Sequence, residues 1–205
     1  DLEIFKKFAE KNIPVYSELE IALAYSKAKA VVAITGTNGK STTTQLTWEI
    51  FKAGLPRGRK ALLGGNIGIP ISAVAPASNP KDVIVLECSS YQLEDSVSVD
   101  PRASAILNIT ADHLDHHGTM AAYLAAKAKI FLEQGPGDAC VFNADDSTGY
   151  KLSRECPSQR LYFGSKGFNI HAWEEGGRLH FKLPRSKKEH ALIPPKLPGR
   201  HNLEN

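Results

Sequence analysis

Val31-Val32-Ala33-Ile34-Thr35-Gly36-Thr37-Asn38-Gly39-Lys40-Ser41-Thr42-Thr43-Thr44 is a β-branched apolar run, then a glycine-flanked turn holding one lysine, then hydroxyl residues that open a helix. That order describes a cradle for phosphate. The strand delivers the chain to a turn with inward-facing amides, Lys40 supplies charge to the terminal phosphates, and the Ser41 hydroxyl can coordinate magnesium. The usual phosphate loop separates its glycines by four residues, whereas Gly36 and Gly39 are separated by two. A plain Gly/Asn turn would also suit those residues. Against it, Leu46, Ile50 and Phe51 fall at helical spacing, so the segment Ser41 to Ala53 could lay its back on a sheet.

Outward from this loop, apolar strand candidates alternate with helix candidates. The strands are 31–35, 61–63, 83–88, 105–109, 139–143 and 160–163; the helices are 41–53, 69–75, 120–134 and 147–154. Such alternation predicts an α/β fold with a mostly parallel sheet and helices on both faces. Val83-Ile84-Val85-Leu86 is apolar throughout, as expected of a strand buried on both sides. Ligands of such sheets bind at the carboxyl ends of the strands. Polar residues gather there, in Gly64 to Gly68, Glu87 to Gln92 and Asn108 to His113. A carboxylate ending an apolar strand is costly unless it is paired or holds a cation. With a phosphate loop on a neighbouring strand, Glu87 is expected to hold magnesium.

Asp112-His113-Leu114-Asp115-His116-His117 has two histidines, His113 and His117, at a spacing that could share zinc on a helix. No glutamate follows His113 as H-E-x-x-H requires, and Gly118 interrupts such a helix. His113, closest to the strand end, is therefore placed in the site, and His116 and His117 are expected to be exposed loop residues. In the alanine-rich helix from Met120, Lys127 and Lys129 lie on different faces. Spacing alone singles out neither.

The 205 residues suffice for one full α/β domain with small appendages. With 25 basic and 22 acidic residues, the net charge of +3 is too weak to indicate nucleic acid. Three cysteines without a CxxC pair suit a reduced compartment. No apolar stretch approaches membrane-spanning length, so a cytoplasmic protein with no membrane partner is expected. Beyond Gly164, residues 168–173 and 178–183 flank Glu174-Glu175-Gly176-Gly177 and read as a small β-hairpin subregion. Ser186 to Glu189 form a charged loop, residues 193–199 a Pro-rich connector, and Arg185, Lys187 and Lys188 are too few, at this net charge, to indicate a nucleic-acid patch.

The motifs GTNGKST (36–42), GGNIG (64–68), LECSSYQL (86–93), DHLDHH (112–117), YLAAKAKI (123–130), FNADD (142–146) and GRHNLEN (199–205) together resemble the Mur ligases of peptidoglycan synthesis. GNIG and the E-x-S-S-Y-Q-L run are most similar to the D-glutamate-adding branch. The resemblance implies a phosphate-loop central domain, ATP and Mg2+, and a monomer. It implies amide ligation through an acyl phosphate, with UDP-N-acetylmuramoyl-L-alanine and D-glutamate as substrates.

Carried over by position, Gly36, Thr37, Asn38, Gly39, Lys40, Ser41 and Thr42 would bind ATP, with Asn202 and Asn205 near its adenine end. Ser41 and Glu87 would hold one magnesium and His113 a second. Lys127 matches the family lysine that is carbamylated, and with that modification could act as a metal ligand or charge relay. Asn66, Ser89 and Gln92 would lie near the UDP-sugar substrate. Residues 1–29 resemble the tail of a UDP-binding domain or a linker, 30–200 the ATP-binding domain, and 201–205 the start of a helix cut short. The expectation is of an excised central domain that binds nucleotide but does not ligate alone. Another amide ligase of the superfamily, such as folylpolyglutamate synthetase, and a phosphate-loop ATPase switch are the rival readings.

Overall fold

A computed structural model describes residues 2–184, 186 and 188–193. Asn202, Asn205, the expected helix start at 201–205, Arg185, Lys187 and most of the Pro-rich connector lie outside the described residues.

Two helices, α1 (Leu2–Glu10) and α2 (Glu18–Ala24), precede the first strand. The strands are β1 (Ala30–Thr35), β2 (Ala61–Gly65), β3 (Val83–Glu87), β4 (Ala103–Ile106), β5 (Ala139–Asn143), β6 (Gln159–Phe163), β7 (Ala172–Glu175), β8 (Arg178–Phe181) and β9 (His190–Leu192). Between them run α3 (Lys40–Gly54), α4 (Ile71–Val74), α5 (Ser90–Glu94), α6 (Leu114–His117), α7 (Met120–Leu132) and α8 (Ser147–Leu152). The sheet order is β2-β3-β1-β4-β5-β6-β7-β8-β9. It is parallel from β2 to β7 and antiparallel across the last three strands.

The expected α/β sheet is present, and its core explains the alternation read in the sequence. All of β3 is buried. On one face Ala33, Ile84, Leu86, Ile106, Cys140 and Phe142 pack with residues of α2, α4 and α7. On the other, Ile34, Val85 and Leu107 meet Trp48 and Phe51 of α3. Each large side chain so buried contributes roughly 1.5–3 kcal/mol. The inward face of α3 differs from the expected one. Ile50 is 71% exposed, whereas Thr44 is buried and Trp48 donates its indole N–H to the Ala61 carbonyl at 2.9 Å. The Thr44, Trp48, Phe51 spacing of four and three carries the contact instead.

Before β1, α2 is part of the packed unit through Leu19 and Ala22. Ser17 caps it, accepting from the Glu20 amide, and shares a 2.8 Å hydrogen bond with Ser96. The 175–178 hairpin turns through Gly176 (φ 60°) and Gly177 (φ 73°), both left-handed, so Glu174 and Glu175 belong to the strand rather than the turn. Cys88, Cys140 and Cys156 are free and buried. The neighbouring Cys140 thiol first, and Ser158, whose hydroxyl lies 3.2 Å from Cys156 Sγ, lower the Cys156 thiol to about 6, a proximity the sequence spacing conceals. Among the described residues no helix is long and apolar enough to cross a membrane.

Gly65 ends β2 at φ +109°, where an added Cβ would lie 2.3 Å from the Glu87 carbonyl oxygen. The same carbonyl accepts the Asn66 amide at 3.0 Å. Gly65→Ala should therefore destabilise the fold by roughly 3 kcal/mol or more, combining backbone strain with steric overlap. Urea unfolding checks this; a change within about 0.5 kcal/mol, the ordinary surface range, would mean the loop yields freely.

Candidate active site

In the order β3-β1-β4 the chain leaves β1 toward β2 on one side and β4 toward β5 on the other. The crevice between the carboxyl ends of β1 and β4 is therefore the topological switch point, where open α/β sheets take their ligands. The two loops there are stitched together. The Thr37 amide donates to the Asn108 carbonyl at 2.9 Å, and the Asn38 amide to Asn108 Oδ1 at 2.8 Å. Asn108 Nδ2 returns a bond to the Asn38 carbonyl at 3.1 Å. The Thr37 hydroxyl accepts from the Thr110 amide at 3.0 Å and lies 3.1 Å from the Tyr123 hydroxyl.

This stitching narrows the expected cradle. The Thr37 and Asn38 amides are spent on Asn108, so these residues shape the loop more than they offer donors. What faces an anion is the start of α3, entered through Gly39 at φ 82°. The first-turn amides of a helix have no intrahelical acceptor and carry the positive end of its dipole. Lys40, Ser41 and Thr42 occupy that turn, and Ser41 is exposed.

Two lysines converge on one carbonyl. Lys40 Nζ donates to the oxygens of Gly36 (3.0 Å) and Thr37 (2.8 Å). Lys127 Nζ reaches the same Gly36 oxygen at 2.9 Å from the opposite side. Its side chain is 1% exposed and its ammonium lies 4.7 Å from the Tyr123 ring centroid. Burial first, and the Lys40 charge second, lower the Lys127 amine to about 7. Spacing alone left Lys127 idle, and only the family resemblance selected it. A signal was available, since Tyr123, Lys127, Ile130 and Phe131 share one helical stripe and all four are buried.

Glu87, at the end of β3, is 1% exposed. Its Oε1 accepts from Asn66 Nδ2 at 2.9 Å, while its Oε2 is buried without a hydrogen-bond partner. A buried, orphaned carboxylate oxygen is costly unless a cation is bound there. An oxygen donor set of Glu87 and the Ser41 hydroxyl fits a hard divalent cation such as Mg2+.

The remaining sequence-selected residues line the same strand ends. Asn66 holds Glu87, as above. Ser89 and Gln92 form a capping box at the start of α5: the Ser89 hydroxyl accepts the Gln92 amide, and Gln92 Oε1 accepts the Ser89 amide at 3.1 Å. Their side chains are thus already engaged in ending β3 cleanly. His113 enters α6 in a left-handed conformation, φ 52°, with Nε2 3.5 Å from Asp112 Oδ2 and its ring 5.1 Å from that of Tyr91. His116 is exposed as expected, but His117 is not: its side chain is fully buried between α5 and α7. The one-turn length of α6 turns it inward, which a loop reading could not foresee. Asp146, from the FNADD stretch, accepts the Ile109 amide and caps α8, bracing the loop after β4.

Comparison with known proteins follows this geometry. Residues 34–205 match the family model described as Mur ligase middle domain. The UDP-N-acetylmuramoylalanine--D-glutamate ligase of Pelotomaculum thermopropionicum is 42% identical over the whole chain, which covers 44% of that relative. The enzyme of the same name from Elusimicrobium minutum is 40% identical over the whole chain, covering 46% of it. The chain thus spans about half the length of these curated relatives. Among solved structures, UDP-N-acetylmuramoyl-L-alanyl-D-glutamate--2,6-diaminopimelate ligase superposes with a TM-score of 0.63 at 19% identity, over 97% of this chain and 43% of that one. The last comparison concerns the fold alone.

Proposed function

The chain belongs to the Mur ligase family, as a middle domain, and from that premise we propose that it is the ATP-binding centre of a ligase joining D-glutamate to UDP-N-acetylmuramoyl-L-alanine. The observation that carries the chemistry is the pairing of a buried, unpartnered Glu87 oxygen with two lysines bonded to the Gly36 carbonyl. The choice of substrates rests on relatives of that name at 40% identity and above.

In this reading the substrate carboxylate attacks the γ-phosphorus of ATP, forming an acyl phosphate and releasing ADP. The D-glutamate amine then adds to the acyl carbon; the tetrahedral adduct expels phosphate and sheds a proton, leaving the amide. The physical obstacle is two anions approaching each other. Lys40, swinging from the Gly36 and Thr37 carbonyls onto the phosphates, and the α3 amides would offset that repulsion. Glu87 and Ser41 would hold a magnesium ion, which supplies further positive charge at the transferring phosphoryl group. His113, after the β4 strand end, would hold a second magnesium.

Lys127 would be carbamylated: its neutral amine adds to carbon dioxide, the new N–C bond forms and the amine proton leaves to water. The product is an anion beside Lys40 where two cations now share one carbonyl. Asn66, Ser89 and Gln92 would flank the UDP-sugar, and Asn202 and Asn205 the adenine. A cytoplasmic monomer is part of the same proposal.

The test is phosphate release by a chain of the relatives' full length that contains this segment. Release requiring both UDP-N-acetylmuramoyl-L-alanine and D-glutamate is expected. Release with neither acceptor would favour an ATPase switch, and release with a diamino acid or a folate in place of D-glutamate would favour another ligase of the family.

A further inference from the structure

Outside the crevice just described, one cluster of metal-binding side chains stands among the described residues: Glu94, His116 and His117, with ligand atoms all within 4.8 Å of one another. His116 Nε2 lies 2.7 Å from Glu94 Oε2, and His117 Nδ1 lies 3.6 Å from the same oxygen. The two imidazole rings are 4.8 Å apart and nearly perpendicular, and a nitrogen of each lies within 4.8 Å of the other and of the Glu94 carboxylate.

The decisive group is His117. Its side chain is fully buried, and Nδ1 has no hydrogen-bond partner. Its other nitrogen, Nε2, is 3.0 Å from the Ser90 hydroxyl. When Nε2–H donates to Ser90, the Nδ1 lone pair faces a carboxylate oxygen with nothing between them. A proton or a metal ion between these two electron-rich atoms relieves their repulsion, and the imidazole of His116 beside the same oxygen favours the metal. A metal-binding histidine characteristically spends its second ring nitrogen in this way, which fixes the tautomer and aims the ligand atom.

We propose that Glu94, His116 and His117 form a binding site for a borderline divalent transition cation, zinc foremost. Two imidazoles and one carboxylate are a zinc donor set, with a fourth position open to water. With two imidazoles among its three donors, the cluster suits zinc better than magnesium, whose ligands are mostly oxygens. The fit requires little movement. Zinc–nitrogen and zinc–oxygen bonds of about 2.0–2.2 Å separate neighbouring ligand atoms by somewhat over 3 Å. The His117 to Glu94 pair already has that spacing, and the His116 to Glu94 pair need only open from its hydrogen bond. Glu94 and His116 are 40% and 44% exposed in their side chains, so the ion has a path from solvent. Lys129, whose ammonium donates to the Glu94 main-chain carbonyl, is the one cation that bears on Glu94 from α7.

The consequence is a clasp between α5 and α6. Tyr91 lies between them, its ring 4.3 Å from His116 and 5.1 Å from His113. An ion at the cluster would hold the loop that carries His113 without touching that residue.

Zinc binding to the chain, measured by competition with a chromophoric chelator, tests this. One ion per chain is expected. Because His117 is part of the core, the exposed partners are the ones replaced: Glu94→Gln and His116→Gln should each weaken binding by at least about tenfold, the low end of what losing even a supporting partner costs. Cobalt in place of zinc should give the visible absorption of a four-coordinate site, lost in both variants. His113→Asn should bind zinc as the parent does. Absence of zinc binding, or binding that survives both Glu94→Gln and His116→Gln in chains with unchanged circular dichroism, would overturn the proposal.

Discussion

Lys40→Ala should weaken magnesium-ATP binding by roughly tenfold to 150-fold, the equivalent of the 1.5–3 kcal/mol that a hydrogen bond to a charged group contributes. The side chain is half-buried and bonded only to the Gly36 and Thr37 carbonyls. Its loss leaves Lys127 donating to the Gly36 oxygen, whereas the carbonyl of Thr37, a buried residue, loses the Lys40 donor. The fold should therefore lose about 1–3 kcal/mol, the cost of leaving a buried acceptor without its donor, and the chain should stay folded. AMP, lacking the β and γ phosphates, should bind equally to parent and variant. Calorimetric titration of both nucleotides separates the outcomes. Equal magnesium-ATP affinity in the two proteins would remove Lys40 from the phosphate site and reduce the β1 turn to a structural connection.

The second large effect is at Lys127. Its folded-state amine sits at about 7 against an ordinary value near 10.5. Between those limits the unfolded chain holds a proton that the folded chain has released, so stability rises with pH across the window. At and below about pH 7 the folded chain bears the full cost of a buried ammonium. Lys127→Met keeps the stem packed on Tyr123 and removes the charge. It should be more stable than the parent near pH 7, by about 1–3 kcal/mol once the lost hydrogen bond and ring contact are subtracted. The advantage should vanish by about pH 10.5, near the ordinary lysine value. Urea unfolding of both chains at pH 7 and pH 10 measures it, and the difference between the proteins cancels the tyrosines and cysteines that titrate in the same range. Parallel pH profiles would show that Lys127 is not held neutral by its surroundings. In a chain of the relatives' full length the same replacement should cost about 100-fold or more in turnover, the scale of removing one stabilising group from a charge-transfer site.

The fold was legible because its signals are local and repeated. The β-branched apolar run 83–86, bounded by polar turns, reads as a strand buried on both faces, and the structure buries every residue of it. The 139–143 strand falls where the apolar pattern begins and ends. What escaped depends on contacts between distant segments. Ile50 has the right spacing to face the sheet, yet α3 is rotated by the bulk of Trp48, whose indole must reach the Ala61 carbonyl. The Ser90–Glu94 helix is a single turn set by a capping box, too short for periodicity to register. In the site, Lys40 and Glu87 could be chosen from sequence because each stands in a position that only charge chemistry explains. Lys127 was chosen through the family resemblance alone, since by spacing a lysine on an alanine-rich helix is ordinarily solvated; its burial arises from where α7 crosses the ends of β1 and β4. Asn108, which holds the 36–39 loop in shape, carries no motif of its own, and its role rests on an asparagine meeting another loop seventy residues away in the chain.

The reciprocal bonds between Asn38 and Asn108 have a mechanical meaning. With Thr37 fastened to Thr110 as well, the β1 and β4 turns lack independent freedom and behave as one jaw. Any breathing that admits or releases a ligand must then be assigned to the crevice's outer walls, the glycine-rich 64–68 segment on one flank and the 112–118 segment on the other. The centre serves as the anvil, and traffic passes at its edges.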